Sequence, residues 1–237
     1  MKAARRAALA VLLLLLASGC MYPGSDSTGS TVNGQYIQVV EQAITAYQQR
    51  TGYYPIHNST VETPEYEKYR IDFKKLLEYK LISQAPTDSF EAGGYFYYVI
   101  TNIESNPRVR LMDLRISQHT ADMQRVIDQY RDSNGEFPFG DSIHPQFYAI
   151  DFELLNRKPE QVKSVFSGSF LSFILHESGK VAIDYGLDLM QAISRSSTVE
   201  FAADYDLREL LIDQSPFIPV SSYPYYWQDG EPIVVGP

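Results

Sequence analysis

Two aspartates lie in nearly identical five-residue sequences, and a pair of carboxylates can act as general acid and general base. The sequences are Tyr-Arg-Ile-Asp-Phe at residues 69–73 and Tyr-Ala-Ile-Asp-Phe at residues 148–152. Asp72 and Asp151 each precede an aromatic residue and two leucines, where a carboxylate can accept hydrogen bonds from the first N–H groups of a short helix. Since no nucleophile accompanies either aspartate, we interpret both as helix caps and predict no catalytic residue.

The histidines offer no metal site. No two have the spacing of a metal-binding pair on a helix, and His176-Glu177 lacks the second histidine of a zinc-protease motif. Residues 132–136 weakly resemble a calcium loop, but the later acidic ligand is missing, so a helix-ending turn is the better interpretation. We therefore predict no metal site and no cofactor. The four histidines are His57, His119, His144 and His176.

Tyrosine provides 18 of the 237 residues and is concentrated at residues 95–98 and 223–227. Alternate residues of a strand face opposite sides, so half of each cluster should lie in the core. The other half would present aromatic faces with polar tips, which are enriched at protein interfaces and can stack on sugars. Ordinary cross-strand packing is the alternative. The candidate surface residues are Tyr95, Tyr97, Tyr223, Tyr225 and Trp227.

The N-terminus has the features of a secretory signal. Three basic residues precede an apolar run at positions 7–16, which is shorter than the about 20 residues that a membrane-spanning helix needs. Small residues follow, and then the only cysteine of the chain, Cys20.

The sequence Ala17-Ser18-Gly19-Cys20 resembles the lipobox of bacterial lipoproteins. The resemblance implies that residues 1–19 are a signal peptide, and that Cys20 is acylated on its thiol and amine, with palmitate as an expected lipid. Several acyl chains together anchor a protein stably. We therefore expect a lipid-anchored protein on the extracytoplasmic face of the cell membrane. An ordinary signal peptide followed by a chance cysteine is the alternative.

Charge and composition describe what should follow the anchor. Cleavage would change the formal net charge from −9 to −12, because the leader carries three basic residues and no acidic one. Anionic membranes and nucleic acids repel such a protein, so we predict no nucleic-acid partner. Residues 20–33 are rich in Gly, Ser and Thr and lack apolar periodicity, which predicts a flexible tether after the lipidated cysteine.

A longer stretch of sequence occurs twice, which indicates an internal duplication. Residues 39–56 align with residues 122–139 at a shift of 83, and the two Asp-containing sequences align at a shift of 79. In both copies apolar residues recur every three or four positions, as in an amphipathic helix, and a glycine and a proline then end the helix. The aligned pairs include Ile44 and Ile127, Tyr47 and Tyr130, Gly52 and Gly135, and Pro55 and Pro138.

We predict an α+β fold of two similar modules, residues 34–114 and residues 115–186. Each module should hold a long amphipathic helix, a short helix that begins after the aspartate, and an antiparallel β-hairpin. The hairpins are expected over residues 95–114 and 170–184, where two β-rich runs flank a turn.

A C-terminal extension, residues 187–237, should hold three further elements. A short helix is expected at residues 187–194. A third, partial repeat follows Asp206, and a last hairpin should turn at Asp229-Gly230, since Asp-Gly is a strong hairpin signal.

The pattern that ends each long helix, Tyr-x-x-x-x-Gly-x-aromatic-Pro, resembles the soluble part of type II secretion major pseudopilins. The resemblance implies a similar shape, a helix followed by a loop and a small antiparallel sheet. It does not imply a similar fibre, because the sequence lacks the long apolar half of the pseudopilin helix and the prepilin cleavage signal. The residues that match are Tyr47, Gly52, Tyr54 and Pro55, and Tyr130, Gly135, Phe137 and Pro138.

Most of the chain resembles a family of uncharacterised lipoproteins of Bacillus-type bacteria, the YphF-like family, which is sometimes labelled as an ABC-transporter binding protein. The resemblance supplies no catalytic or ligand-binding residue. It is carried by the lipobox with Met21-Tyr22-Pro23, by Thr63-Pro64, by Tyr69-x-Ile71-Asp72-Phe73, by Glu91-x-Gly93-Gly94 and by Asp113-Leu114-Arg115.

These observations favour a non-enzymatic binding or scaffolding lipoprotein that meets a protein partner in the cell envelope. A solute-binding component of an ABC-type importer is one alternative. It usually needs two lobes of alternating strands and helices, whereas here the order is helix and then hairpin. An envelope enzyme of unknown reaction is the other alternative.

The anchor can be tested directly. Replacement Cys20→Ala should move the protein from the membrane fraction to the soluble fraction, because no acylation site remains at the cleavage point. Fractionation of cells and metabolic labelling with a palmitate analogue measure both properties. Unlipidated protein that stays bound to the membrane would show that the anchor is something else.

Overall fold

The computed structural model of the protein describes residues 26–196 and 200–236, and these form an α+β fold as predicted. The predicted signal peptide and Cys20 lie outside the described residues. None of the helices that the structure describes is long and apolar enough to cross a membrane.

The first long helix, α1, runs from Asp26 to Thr51 and ends at Gly52, whose φ of 79° suits a residue without a Cβ. Because α1 begins at Asp26, residues 26–33 are helical, and the prediction of a flexible tether is wrong for them. Once a helix is nucleated, each further residue adds one hydrogen bond, so a segment with no apolar pattern of its own can extend it. The buried residues of α1 are Ile37, Val40, Ala43, Ile44 and Tyr47.

Short helical segments follow α1. Residues Glu65–Glu67 and Phe90–Ala92 form 3-10 turns, and Phe73–Glu78 form helix α2. Asp72 caps α2, since its Oδ1 accepts a hydrogen bond from the Lys74 N–H at 3.1 Å. The short helix and the capping role of Asp72 are thus confirmed.

Strands β1, Phe96–Thr101, and β2, Arg108–Asp113, form the first hairpin where it was predicted. Both faces of the hairpin are buried. Tyr98 packs in an apolar cluster with α1, whereas Val99 packs in a larger cluster formed mainly by the rest of the chain. The first hairpin therefore lies between the two apolar cores.

The second long helix, α3, runs from Leu114 to Asn134. Asp113 caps its start by accepting a hydrogen bond from the Arg115 N–H at 2.9 Å, and Gly135 ends it with a φ of 81°. The glycine ends of both long helices are therefore confirmed. The buried residues of α3 are Ile116, Thr120, Met123 and Ile127.

The second sheet has five antiparallel strands, with β6 paired to β4, β5 and β7, and β3 paired to β4. The hairpin of β6 and β7 is the predicted one. The other three strands were not predicted. The strands are β3, Phe139–His144; β4, Phe147–Ile150; β5, Gln161–Lys163; β6, Phe170–His176; and β7, Val181–Ile183.

No short helix follows Asp151, so the short helix predicted for the second module is wrong. Residues 152–156 are a series of turns. Asp151 does cap them, because its Oδ1 accepts hydrogen bonds from the N–H groups of Glu153 and Leu154 at 2.9 and 3.1 Å. The chain then reverses at Asn156, whose φ is 50°, before a second helical turn can form.

The C-terminal part contains helix α4, Gly186–Arg195, and helix α5, Arg208–Gln214. Strands β8, Tyr225–Gln228, and β9, Glu231–Val234, then form the last hairpin. The structure confirms the predicted short helix and hairpin. Asp206 accepts a hydrogen bond from the Arg208 N–H at 3.0 Å, so the third aspartate also caps the turn that follows it.

The same backbone hydrogen bond closes the loop after each long helix. The Asp72 N–H donates to the Pro55 carbonyl at 2.7 Å, and the Asp151 N–H donates to the Pro138 carbonyl at 2.9 Å. The repeated sequence thus coincides with a repeated contact between the aspartate and the proline that follows the long helix.

A side chain of each long helix accepts a hydrogen bond from the second strand of one of the predicted hairpins. Glu41 Oε1 accepts from the Val109 N–H of β2 at 3.0 Å. Gln124 Oε1 accepts from the Val181 N–H of β7 at 2.8 Å. Glu41 and Gln124 are related by the same shift of 83 that aligns the helices.

Residues 216–222, which we call the bridging segment, cover the outer edge of the first hairpin. The Leu111 N–H of β2 donates to the Pro216 carbonyl at 2.8 Å, and the Ile218 N–H donates to the Leu111 carbonyl at 3.0 Å. Ile218 is fully buried. The exposed edge that β2 would otherwise present is therefore paired.

The bridging segment then covers the outer edge of β7, in the hairpin of β6 and β7. The Ile183 N–H of β7 donates to the Ser221 carbonyl at 3.1 Å. The fully buried Val220 accepts a hydrogen bond on its carbonyl from the Tyr185 hydroxyl at 3.0 Å. One short segment thus joins both hairpins.

Shortening a buried side chain of the bridging segment should lower the stability of the whole protein. Replacement Ile218→Ala leaves a cavity in a fully buried site, so we expect the free energy of unfolding to fall by about 2 to 5 kcal/mol. Chemical denaturation measures this change. The control Leu154→Ala removes a half-exposed leucine and should change stability by about 0.5 kcal/mol or less. Equal effects of the two replacements would contradict the structural role of the segment.

Candidate functional site

A groove of about 520 Å³ lies where residues 62–67, helix α3, strand β7 and the bridging segment meet. We call it the central groove. Its volume is within the range of small-molecule sites in proteins. The residues that line it are Glu62, Pro64, Glu65, Glu67, Ser117, Thr120, Ala121, Gln124, Lys180, Val181, Ala182, Arg208, Ser221, Ser222, Tyr223 and Pro224.

One wall of the groove is a stripe of small and uncharged residues on α3. They are spaced by three, one and three residues, so they share one side of the helix: Ser117, Thr120, Ala121 and Gln124. The Thr120 hydroxyl donates to the Ile116 carbonyl at 3.0 Å, within its own helix. The short side chains leave room beside the helix, and this room is the groove.

Gln124 makes hydrogen bonds with the backbone at the outer edge of β7. Its Oε1 accepts the hydrogen bond from the Val181 N–H, and its Nε2 donates to the Gly179 carbonyl at 2.9 Å. The side-chain amide therefore satisfies one donor and one acceptor of the strand edge, as a neighbouring strand would. The floor of the groove is the backbone and the small side chains of β7.

Glu67 is the carboxylate of most interest in the groove. Its Oε1 accepts a hydrogen bond from the Ser221 N–H at 2.9 Å, and Ser221 holds an unusual positive φ of 54°. Burial raises the pKa of Glu67, although that hydrogen bond and the charges of Lys180 and Arg208 partly oppose the effect. In the described parts of the chain, Glu67 forms no ion pair.

Arg208, which also lines the groove, already forms an ion pair with Asp206. Its guanidinium donates to Asp206 through Nε and Nη2, at 2.9 and 2.6 Å to Oδ2, and through Nη1 to the Ser222 carbonyl at 3.0 Å. The guanidinium also lies over the Tyr66 ring, 4.8 Å from its centroid. Because Asp206 neutralises Arg208, Glu67 lacks a dedicated cation.

A buried tyrosine fixes the loop that carries Glu67. The Tyr66 hydroxyl donates to Glu209 Oε1 at 2.7 Å, and Asn102 donates to the other oxygen of Glu209 at 3.1 Å. Burial raises the pKa of Tyr66, and the neighbouring carboxylates raise it further, so the phenol keeps its proton. The loop is therefore tied to helix α5 and to the turn of the first hairpin.

Tyr223 forms the aromatic end of the groove. Its ring stacks on His176 at a centroid distance of 5.3 Å, and Lys180 Nζ lies 5.7 Å from the ring centroid. Burial lowers the pKa of His176, the charge of Glu177 partly opposes this and that of Lys180 adds to it, so the imidazole is neutral near neutral pH. The stack therefore holds the Tyr223 ring in place without adding a charge.

The structure separates the aromatic residues that were predicted to form one surface. Tyr225 is fully buried, so its prediction as a surface residue is wrong; its hydroxyl donates to Asp184 at 2.9 Å inside the core. Tyr95 is 63% exposed. Tyr97 and Trp227 are partly buried, and only Tyr223 lines the central groove.

Packing explains the positions of these partly buried rings. Tyr97 lies beneath Arg70, whose guanidinium is 3.6 Å from the ring centroid, and it contacts Phe90 edge to face. Trp227 packs against Phe201. Packing against neighbouring loops therefore accounts for both residues, in place of the cross-strand packing that was the alternative weighed from the sequence.

Sequence reasoning missed Glu67, Gln124 and Lys180. No short motif surrounds them. Gln124 alone had a signal, because the shift of 83 places it on Glu41, but the hydrogen bond that the two positions share could be recognised only with the hairpins in place. Within the described residues, no group of three histidine, cysteine, aspartate or glutamate side chains could hold a metal ion.

Residues 33–113 match the family model of the YphF family N-terminal domain. The chain is therefore similar to that family over about one third of its length, from α1 to the end of the first hairpin. No curated protein matches the chain, and no solved structure matches it.

Neutralisation of Glu67 should stabilise the protein. Because the pKa of Glu67 is raised, the folded state binds this proton more tightly than the unfolded state does. The free energy of unfolding therefore falls as the pH rises from the ordinary glutamate pKa to the raised pKa, and it stays lower at neutral pH. The variant Glu67→Gln keeps an oxygen acceptor for the Ser221 N–H. We therefore expect a higher melting temperature than native near neutral pH, and a smaller difference at acidic pH.

Thermal unfolding at several pH values measures this prediction. The control Glu153→Gln removes the charge of an exposed carboxylate and should leave the melting temperature unchanged. A Glu67→Gln protein that is less stable than native near neutral pH would show that the carboxylate stabilises the fold.

Proposed function

We propose that this protein is a lipid-anchored, extracytoplasmic and non-enzymatic binding lipoprotein, and that the central groove is its binding site. The observation that carries the proposal is the groove itself. It is formed in advance by side chains that are fixed by their own hydrogen bonds, and it combines an apolar floor with a few polar groups, as ligand sites do. The lipobox sequence at Cys20 supports the anchor.

We also propose that the body consists of two copies of one module, residues 34–114 and 115–186, followed by a C-terminal extension. The shared hydrogen bonds support this proposal: each aspartate with the proline after the long helix, and Glu41 and Gln124 with equivalent strands. A shape like that of pseudopilin soluble parts is the proposed form of each copy. The central groove would then lie between a loop of the first copy and the helix and hairpin of the second.

The match over residues 33–113 supports membership of the YphF-like lipoproteins, and we extend that proposal to the whole chain. The matched range lies close to the proposed first module. In this view the first module carries the loop with Glu67, and the remaining residues supply the other walls of the groove.

Solute capture for an ABC-type importer is the second candidate function. The volume of the central groove favours it, since about 520 Å³ can hold a small solute. A scaffolding role would instead bring a side chain of a protein partner into the same groove.

Photo-crosslinking in cells tests the proposed site. A photoreactive phenylalanine analogue at Ala121, an exposed residue that lines the groove, should form a discrete adduct that mass spectrometry can identify. The matched control places the same analogue at His119, which is also exposed on α3 but does not line the groove. An adduct formed only at position 121 supports the proposal. No adduct, or the same adducts at both positions, would contradict it.

A further inference from the structure

The central groove contains a carboxylate that the protein itself does not neutralise. Glu67 lines the groove, is partly buried and forms no ion pair within the described residues, while the nearest arginine, Arg208, is held by Asp206. A carboxylate removed from water without a cation costs free energy of folding. A ligand that supplied a positive charge would recover that cost.

The other charges around the groove favour the same kind of ligand. Glu62 and Glu65 lie on the loop of Glu67 and are exposed at its rim. The only unpaired positive charge among the described lining residues is that of Lys180, which is solvent-exposed, so water and salt screen it more than they screen Glu67. The side of the groove that holds the loop is therefore negative.

The rest of the lining is suited to an apolar body of modest size. Val181 and Ala121 form apolar floor and wall, and Tyr223 offers an aromatic ring held by its stack on His176. Pro64 and Pro224 add rigid apolar surface at the rim. The volume fits a small molecule better than a long extended peptide.

We propose that the central groove binds a small organic primary amine, with its ammonium group on the Glu67 carboxylate and its apolar body against Val181 and Tyr223. This inference rests on the proposed function of the groove. A neutral ligand of the same shape would leave Glu67 unpaired, and an anionic ligand would be repelled by it. Hydrogen bonds between charged groups in such sites contribute enough that we expect at least about tenfold preference for the amine.

Calorimetric titration of the full chain in detergent micelles tests the proposal. The probes are phenethylamine, phenethyl alcohol and 3-phenylpropionate, which share an aromatic body and differ in charge, with titrations into protein-free micelles subtracted. Phenethylamine should bind at least about tenfold more tightly than the other two. Equal binding of the alcohol or the propionate would overturn the amine inference, as would no binding of any probe at about 10 mM.

Variants assign the effect to one carboxylate. Glu67→Gln should lower the affinity for phenethylamine at least about tenfold and leave the weak affinity for phenethyl alcohol unchanged. Glu153→Gln should bind all three probes as the native protein does. Phenethylamine affinity that survives in a folded Glu67→Gln protein, with folding checked by thermal unfolding, would overturn the assignment.

A fourth probe separates a free amine from the lysine of a partner. N-acetyl-lysine N-methylamide carries the same ammonium on a peptide backbone, and it should bind more weakly than phenethylamine. Binding about tenfold tighter would overturn the small-amine inference in favour of a peptide partner. The failure of the inference stays distinct from that of the proposed function, because the crosslink at position 121 depends on the groove and not on the charge of the ligand.

Discussion

The pairing of the bridging segment with two strand edges is the constraint on which the rest of the structure depends. Each hairpin would otherwise expose the outer edge of its second strand, and unpaired strand edges are prone to wrong pairing and aggregation. Leu111 and Ile183 occupy equivalent positions in β2 and β7, and both donate their N–H groups to this one segment. The two apolar cores are thereby held together by backbone hydrogen bonds as well as by side-chain packing.

The central groove is a consequence of this arrangement. The bridging segment has to leave β2, cross to β7 and turn, and it does so with Ser221 in a left-handed conformation. The N–H of Ser221 then needs an acceptor, and Glu67 provides it from the loop of residues 62–67. A partly buried carboxylate loses more solvation free energy than a neutral acceptor would. Its presence there supports the proposal that the groove is kept for binding and is not optimised for stability.

The sequence predicted well those elements whose signals are local. Both long helices, their glycine ends, the aspartate caps and three of the hairpins could be recognised from periodicity and turn residues. The elements that were missed depend on contacts between distant residues. Strand β4 forms because β6 offers it an edge, and β3 then pairs with β4. The helical start of α1 grows from a helix stabilised further along the chain. Tyr225 was placed on the surface by alternation alone, yet in the core its hydroxyl donates to Asp184 and accepts a hydrogen bond from the Tyr185 N–H.

Native-state hydrogen exchange at two amides tests the central claim most directly. Opening of the bridging segment releases the N–H groups of Leu111 and Ile183 together, although the two residues lie in different hairpins. The account predicts that both amides exchange with the same opening free energy and the same dependence on denaturant. Exchange of the Leu111 amide by a separate, lower-energy opening while the Ile183 amide stays protected would contradict it.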